Sequence, residues 1–287
     1  MTKIRQKKFA FSRQFGYNQN IMDKYTVGIF DSGLGGLSTY TVLRSLLPEV
    51  NIIYFADTGR NPYGTRKPDR LRVMAGEDLA FLLQFDVSAI IAACGTMSAN
   101  APEVLKACRV PVVNVLDPSV RRMAELPGKG PLAVLATDAS IRSGAFAAKL
   151  KEAVPDRSIL PVACQDFVAL CEAGITSPED SRLKESVRRY LAPVKEAGAE
   201  GILLGCTHFD MVEQAIRDYL GPDVNILSAA ACAAREMAEL LRREKADMGK
   251  GKSCFYTSGS VTEFEKKASG ILAFPVRAEA GSAGEDC

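Results

Sequence analysis

The stretches SAIIAACGTMSAN (residues 88–100) and AEGILLGCTHFD (residues 199–210) share one pattern, a short apolar run that ends in a cysteine with a threonine close behind. Cys94 and Cys206 lie about one domain length apart. Unbroken apolar runs of this kind are typical of strands that a parallel sheet buries on both faces. The pattern predicts two similar α/β lobes, each with one thiol at the carboxyl end of a strand, where open α/β sheets bind ligands. The alternative is a chance likeness between two buried strands.

The rest of the chain supports this fold class. Apolar runs such as TVGIF (26–30), NIIYFAD (51–57) and PLAVLAT (131–137) alternate with helical stretches such as RLRVMAGEDLAFLLQF (70–85). Strands and helices that alternate at this spacing indicate mainly parallel sheets covered by helices. We therefore expect an α/β protein.

The composition excludes several function classes. The chain has 287 residues, of which 47% are apolar and 24% charged, and its net charge is +2, as in ordinary soluble globular proteins. No apolar run approaches the ~20 residues that span a bilayer. The eight cysteines form no CxxC pair, and the chain has a single histidine, so we expect neither a redox motif nor a metal site. We expect no nucleic-acid or membrane partner.

The N-terminal residues 1–25 are basic and contain no acidic residue before Asp23. They lack the apolar stretch of a secretory signal, so we expect a cytoplasmic protein with a flexible N-terminal arm. A start at Met22 would explain the arm equally well. A transit peptide or a nucleic-acid-binding arm is the further alternative.

Two loops carry residues suited to a polar ligand. In IFDSGLGGLS (29–38) the glycines permit a tight turn with bare backbone amides, although the spacing matches neither a Walker loop nor the dinucleotide fingerprint. Asp31 ends the strand there, and it either caps the turn or orients a base. NPYG (61–64) is a turn whose Tyr63 hydroxyl and Gly64 amide can reach a small ligand.

GCTH (205–208) places a thiol, a hydroxyl and the single histidine of the chain at one strand end. A lone histidine is usually a packed or surface residue. Beside a thiol at a strand end, His208 is a better candidate for acid/base chemistry.

The segments GIFDSGLGG, DTGRNPYG, AACGTMSAN and LGCTHF occur in this order between about Val27 and Gly259. Together they resemble the glutamate racemases of the cofactor-independent aspartate/glutamate racemase superfamily. The resemblance implies two pseudo-symmetric three-layer α/β lobes that face a central cleft. It implies that Cys94 and Cys206 act on opposite faces of one amino acid, one as a thiolate that removes the α-proton and the other as a thiol that returns one. Inversion requires an acid/base on each face, and thiols can serve both roles.

The resemblance also implies roles for the neighbouring residues. Asp31 assists Cys94, and His208 assists Cys206. The substrate-binding positions are Asp31, Ser32, Tyr63, Gly64, Gly95, Thr96, Thr207 and His208. No cofactor is implied. The implied substrate is glutamate. The implied partners are a second copy of the chain and a cell-wall precursor that acts as effector. The basic N-terminal arm is the segment that we expect to contact such an anionic effector.

The implied domain boundaries divide the chain into four parts. Residues 26–117 with 228–275 form the first lobe, which carries Cys94. Residues 118–227 form the second lobe, which carries Cys206. The arm 1–25 and the tail 276–287 are expected to be flexible.

The chain departs from the family pattern at two places, directly after Cys94 and in the stretch ACQDFVALCEAG (163–174). Gly95 stands where the family has an asparagine whose amide helps to bind substrate, and Met97 stands where alanine is usual. Gln165 and Asp166 replace a common Pro-Leu pair, and Glu172 matches an acidic position that can partner His208.

These departures leave three functions to weigh. The first is racemisation of glutamate for peptidoglycan. The second is racemisation of aspartate or of several acidic amino acids, which Gly95 suggests. The third is a non-catalytic relative that retains the cleft, against which the presence of both thiols counts.

Overall fold

The computed structural model describes residues 25–283. Strands and helices alternate along this range. The strands are Thr26–Asp31 (β1), Asn51–Ala56 (β2), Ala89–Ala92 (β3), Val112–Asn114 (β4), Leu132–Ala136 (β5), Ile159–Ala163 (β6), Gly201–Leu204 (β7), Asn225–Ser228 (β8), Ser253–Thr257 (β9) and Ala278–Ala280 (β10). The helices are Leu37–Leu46 (α1), Pro68–Leu82 (α2), Gly95–Asn100 (α3), Pro102–Lys106 (α4), Leu116–Ala124 (α5), Asp138–Ser143 (α6), Ala145–Ala153 (α7), Gln165–Glu172 (α8), Ser181–Glu196 (α9), Glu213–Leu220 (α10), Ala229–Arg243 (α11) and Val261–Leu272 (α12). Short 3₁₀ segments cover Thr58–Arg60, Tyr63–Thr65, Leu83–Phe85 and Thr207–Val212.

The strands form two parallel sheets with a repeated topology. The first has the order β10-β9-β2-β1-β3-β4, and the second has the order β6-β5-β7-β8. The order β2-β1-β3-β4 is thus repeated as β6-β5-β7-β8, and every pairing between these strands is parallel. This repeat confirms the predicted α/β fold with two pseudo-symmetric lobes.

The apolar runs explain why these segments are central strands. Every residue of β1, β2, β3, β5 and β7 is buried. Burial of one large aliphatic side chain contributes ~1.5–3 kcal/mol, so a strand with apolar residues on both faces is stable only with helices on both sides. Helices α1 and α11 pack against each other, and α11 also packs on α5.

The topology places both cysteines at equivalent points. Cys94 follows β3, which pairs with β1, and Cys206 follows β7, which pairs with β5. Asp31 ends β1 and Ala136 ends β5 in the equivalent position, so Thr137, which directly follows β5, corresponds to Ser32 of the first lobe. In each lobe the strand order reverses beside the cysteine, which is where doubly wound sheets bind ligands.

The strands of the first sheet come from residues 26–114 and 253–280, and those of the second from residues 132–228. The prediction that 276–287 is a flexible tail is wrong for residues 278–280, because β10 pairs with β9. Without β10, β9 would present unpaired backbone groups at the sheet edge. Residues 1–24, which hold most of the predicted arm, and residues 284–287 lie outside the described residues. Within residues 25–283 no helix has the length and apolar character needed to cross a membrane.

A buried carboxyl lies where the chain leaves the second sheet. Asp210 belongs to the 3₁₀ segment after Cys206, and its Oδ2 accepts a hydrogen bond of 2.7 Å from the hydroxyl of Ser228. Ser228 in turn caps α11 by accepting from the N–H of Ala231. Burial raises the pKa of Asp210 from its ordinary value of 3.8 to about 7.

We expect Asp210→Asn to flatten the dependence of folding stability on pH. Because the folded state holds the Asp210 proton more tightly than the unfolded state, the stabilisation is complete below about pH 4 and is lost as pH rises through about 7. The asparagine variant lacks this loss, so above pH 7 it should be more stable than wild type by about 2–4 kcal/mol. Urea unfolding between pH 4 and 8 measures the effect. Asp218→Asn on exposed α10 is the control, and equal pH slopes for wild type and Asp210→Asn would contradict the prediction.

Candidate active site

The carboxyl ends of the equivalent strands in the two lobes enclose one small cavity. The predicted residues of the first lobe that line it are Asp31, Ser32, Tyr63, Gly64, Cys94 and Thr96. Those of the second lobe are Cys206, Thr207 and His208. The fold therefore brings together all but one of the predicted site residues, and both thiols face the same space.

Cys94 is buried between β3 and the start of α3, with 4% of its surface exposed. Burial, assisted by the nearby carboxylate of Asp31, raises the pKa of this thiol to about 12. The hydroxyl of Ser32 and the backbone N–H groups of residues 96 and 97 oppose that rise, since they hydrogen-bond the thiolate. The site thus keeps Cys94 protonated while it holds donors ready for the ionised form.

Cys206 lies beside an imidazole. Its Sγ is 3.8 Å from Nδ1 of His208, and Nε2 of His208 is 2.8 Å from Oε1 of Glu172. Burial raises the pKa of Cys206, whereas His208 lowers it. Burial lowers the pKa of His208, but the hydrogen bonds to Cys206 and Glu172 outweigh it and raise that pKa well above 6.5. The predicted partnership of Glu172 with His208 is confirmed, and the arrangement favours an imidazolium next to the second thiol.

Polar contacts join the lobes across the cavity. Asn61 of the first lobe donates from Nδ2 to Oε1 of Glu172 at 3.0 Å. The Thr207 hydroxyl donates to Oδ1 of Asp31 at 3.3 Å, while Oδ2 of Asp31 accepts from the N–H of Gly33 at 3.0 Å. Asp31 therefore holds the turn after β1, which is the first of the two alternatives considered from the sequence, and it also lines the cavity. That it orients a base stays a prediction.

Thr137 is a cavity residue that the sequence reasoning missed. Its hydroxyl lies 2.9 Å from that of Thr96 in the opposite lobe and 2.9 Å from that of Ser140. The sequence contained a signal for Thr137. PLAVLAT (131–137) is an apolar run followed by a polar residue, like the two runs that are followed by Cys94 and Cys206. Also missed were Asn61, Pro62, Gln165 and Val168. Their approach to the cavity depends on the packing of the lobes.

The predicted role of the Tyr63 hydroxyl needs correction. Tyr63 lines the cavity, but its hydroxyl contacts the carboxylates of Asp57 and Asp78. Arg60 bridges the same two carboxylates. A phenol has one hydrogen to donate, and here an acidic cluster accepts it. The hydroxyl anchors the loop 58–65, and only the remainder of Tyr63 faces a ligand.

Gly95 is the predicted site residue that does not line the cavity. A side-chain Cβ at this position would lie 2.0 Å from the carbonyl oxygen of Gly205, far inside any van der Waals contact. Glycine thus permits a close approach of the two thiol-bearing loops. The cavity lining gives no support to its predicted role as a substrate-binding residue, which stays a prediction.

The donors around the cavity are neutral apart from the histidine. Within residues 25–283, neither lysine nor arginine lines it, so a carboxylate bound there would meet hydroxyl, amide and backbone N–H groups. Over the same range, no group of three or more His, Cys, Asp or Glu side chains is arranged to hold a metal ion. The arrangement suits proton transfer between a small polar molecule and two thiols on opposite sides.

Comparison with known proteins agrees with this geometry. The sequence model of the family described as Asp/Glu/Hydantoin racemase matches residues 44–237. A glutamate racemase from Geobacter metallireducens is 38% identical over 217 residues, which cover 75% of this chain and 80% of that protein. One from Carboxydothermus hydrogenoformans is 33% identical over 261 residues, which cover 89% and 96%.

A solved structure agrees as well. The glutamate racemase from Francisella tularensis subsp. tularensis, solved in complex with D-glutamate, superposes with a TM-score of 0.83 at 30% identity and covers 91% of this chain and 98% of that one. The resemblance predicted from four short motifs is thereby confirmed. The chain belongs to the Asp/Glu/Hydantoin racemase family and is an amino-acid racemase, an isomerase.

Proposed function

We propose that this enzyme interconverts L- and D-glutamate, with one thiol removing the α-proton and a second thiol delivering a proton to the opposite face. Cys94 and Cys206 act on opposite faces of the α-carbon, and each is the base for one enantiomer and the acid for the other. The observation that carries the proposal is that both thiols, supplied by equivalent strands of two lobes, line one cavity. Inversion by proton transfer requires this disposition, since the proton must leave one face and return to the other.

The protonation states at rest fit such a cycle. Burial keeps both thiols protonated in the free enzyme, so neither is an exposed reactive thiolate. The ammonium group of a bound amino acid brings a positive charge into the cavity, which lowers the pKa of a nearby thiol. The thiolate therefore forms when there is substrate to act on. The His208 imidazolium stabilises the thiolate of Cys206 in the same way.

The negative charge that develops on the substrate carboxylate is met by neutral donors. The hydroxyls of Ser32, Thr96 and Thr137 belong to cavity residues, whereas the Thr207 hydroxyl already donates to Asp31. Donors fixed in a dry site need no reorganisation when charge appears, so they stabilise a carbanion-like transition state strongly.

Glutamate is the proposed substrate because the relatives at 33–38% identity are glutamate racemases. The product D-glutamate would serve peptidoglycan synthesis, the role that the family resemblance implies. The cell-wall precursor as effector, the homodimer and the cytoplasmic location stay predictions.

Incubation of each glutamate enantiomer in deuterium oxide tests the proposal. We expect the product enantiomer to carry deuterium at the α-carbon from the earliest times, while the remaining substrate keeps its hydrogen, because one thiol removes the proton and another delivers one. Mass spectrometry after chiral separation measures both pools. Interconversion that retains the α-hydrogen, or the absence of any interconversion, would refute the mechanism.

Gly95 favours a second candidate, a racemase with aspartate or broader acidic amino-acid specificity. Loss of one binding contact changes discrimination by only ~1–3 kcal/mol. Turnover of L-aspartate beside L-glutamate in the same assay separates the two candidates, and a higher kcat/KM for aspartate would replace glutamate as the substrate.

A further inference from the structure

The cavity wall formed by the first lobe lacks an amide beside Cys94. Gly95 has no side chain, and the carbonyl of Gly205 leaves no room for one. Among residues 25–283, the side-chain amides at the cavity are those of Asn61 and Gln165. The Nδ2 of Asn61 donates one of its two hydrogens to Glu172. Of the two amides, Gln165 is the one whose nitrogen donates to no group in the described part of the protein.

Gln165 begins α8 directly after the end of β6, a strand equivalent by topology to β2 of the first lobe. Its Oε1 accepts a hydrogen bond from the N–H of Asp138 at 3.3 Å, which fixes the orientation of the amide. Within the described part of the chain its Nε2 makes no hydrogen bond to the protein, and the side chain is half-buried. The amide packs closely on Gly64 of the opposite lobe, where a Cβ would lie 2.4 Å from Oε1 and 3.1 Å from Nε2.

These contacts assign the free amide to the ligand. We propose that Nε2 of Gln165 donates a hydrogen bond to a carboxylate of the bound acidic amino acid, and that it supplies from the second lobe the amide that Gly95 lacks in the first. The inference rests on the proposed function, since it names a further substrate-binding residue of the same site. The carboxylate concerned is held at the end of the cavity formed by Gly64 and Thr137, because the amide of Gln165 lies there.

The position of Gln165 also links the two lobes. The amide lies in the second lobe and touches Gly64 in the first, so a carboxylate bound between them contacts both lobes. The binding energy of that carboxylate then stabilises the arrangement in which both thiols line one cavity. A glycine at position 64 permits this contact, because any side chain there would displace the amide.

Gln165→Leu and Gln165→Glu test the role. Leucine keeps the approximate size and removes the donor, and glutamate keeps the shape but turns a negative charge toward a carboxylate. Both variants lose a hydrogen bond to a charged group. We therefore expect KM for D- and L-glutamate to rise by about ten-fold or more in the leucine variant and further in the glutamate variant. The value of kcat should change less. Because the two enantiomers have equal free energy, kcat/KM must fall equally in both directions. Asp166→Asn, one residue along on the exposed face of α8, is the matched control.

Calorimetric binding of D-glutamate gives a readout that is independent of turnover when it is measured in a Cys94→Ala background, with and without Gln165→Leu, because the ligand is then not inverted during the titration. Weaker binding to the leucine variant, with the control unchanged, supports the role of Gln165. If wild type exchanges the α-proton of glutamate and Gln165→Leu has the same KM and affinity, Gln165 is not a substrate ligand and the racemase assignment stands. If wild type neither binds nor converts glutamate, both proposals are overturned.

Discussion

Replacement of either Cys94 or Cys206 by alanine is expected to lower glutamate racemisation by at least about 10³-fold, because each thiol is the group that exchanges the α-proton on its face of the α-carbon. The two losses should not add in the double variant, since one missing thiol already interrupts the transfer. Chiral chromatography of product from each enantiomer measures the loss. Serine variants, which keep the side-chain volume, separate the chemical effect from packing.

The two single variants should differ in what they retain. With one thiol left, that group can still remove the α-proton of one enantiomer and return a deuteron to the same face. Cys94→Ala and Cys206→Ala are therefore expected to exchange the α-hydrogen of opposite enantiomers, without inversion. Cys232→Ala is the control, because Cys232 is buried in α11 and does not line the cavity. Exchange of the same enantiomer by both variants, or retention of a tenth of wild-type turnover by either, would exclude the two-thiol mechanism.

His208→Asn is expected to lower kcat/KM by about 10²–10³-fold, equally in both directions. The imidazolium lies 3.8 Å from the sulfur of Cys206 and opposes the effect of burial on that thiol. Without it, the pKa of Cys206 rises, so the pH at which kcat/KM reaches its plateau should move to higher values. The pH profile separates this electrostatic role from a structural one, because a packing defect lowers the plateau and leaves the profile in place.

Glu172→Gln tests the electrostatic role of His208 with a smaller perturbation. Glu172 raises the pKa of His208, as do Cys206 and Asp31. Burial opposes ionisation of Glu172, but the bond to His208 and the charge of Lys267 outweigh it and lower the pKa of Glu172. The glutamine variant keeps the hydrogen-bonding shape and removes the charge, so its alkaline shift should be in the same direction and smaller. A profile unchanged in both variants would show that the imidazole does not stabilise the thiolate.

Much of the fold follows from local sequence pattern. Continuous apolar runs form β1, β3 and β7 because their side chains are buried on both faces. Such a run can be recognised from the few residues of the strand alone. The two thiols and Asp31 were predictable for a related reason. Each ends a buried strand, and the carboxyl ends of parallel strands form one edge of a sheet. Strand β10 was not predictable, because its residues AEA carry no apolar pattern and pair only because β9 offers an open edge.

The sequence alone predicted that two similar sheets would each present a thiol at a strand end. Apolar runs indicate buried strands, and the alternation of these runs with helices indicates that the strands are parallel. Only the tertiary structure decided which other groups meet there. Thr137 and Gln165 join the cavity because the second lobe packs against the first. The Tyr63 hydroxyl is directed to Asp57 and Asp78, and Gly95 rests against Gly205. A motif specifies which side chains a loop carries, whereas the direction of a hydroxyl or an amide depends on partners far away in the chain, which only the packing of the lobes brings near.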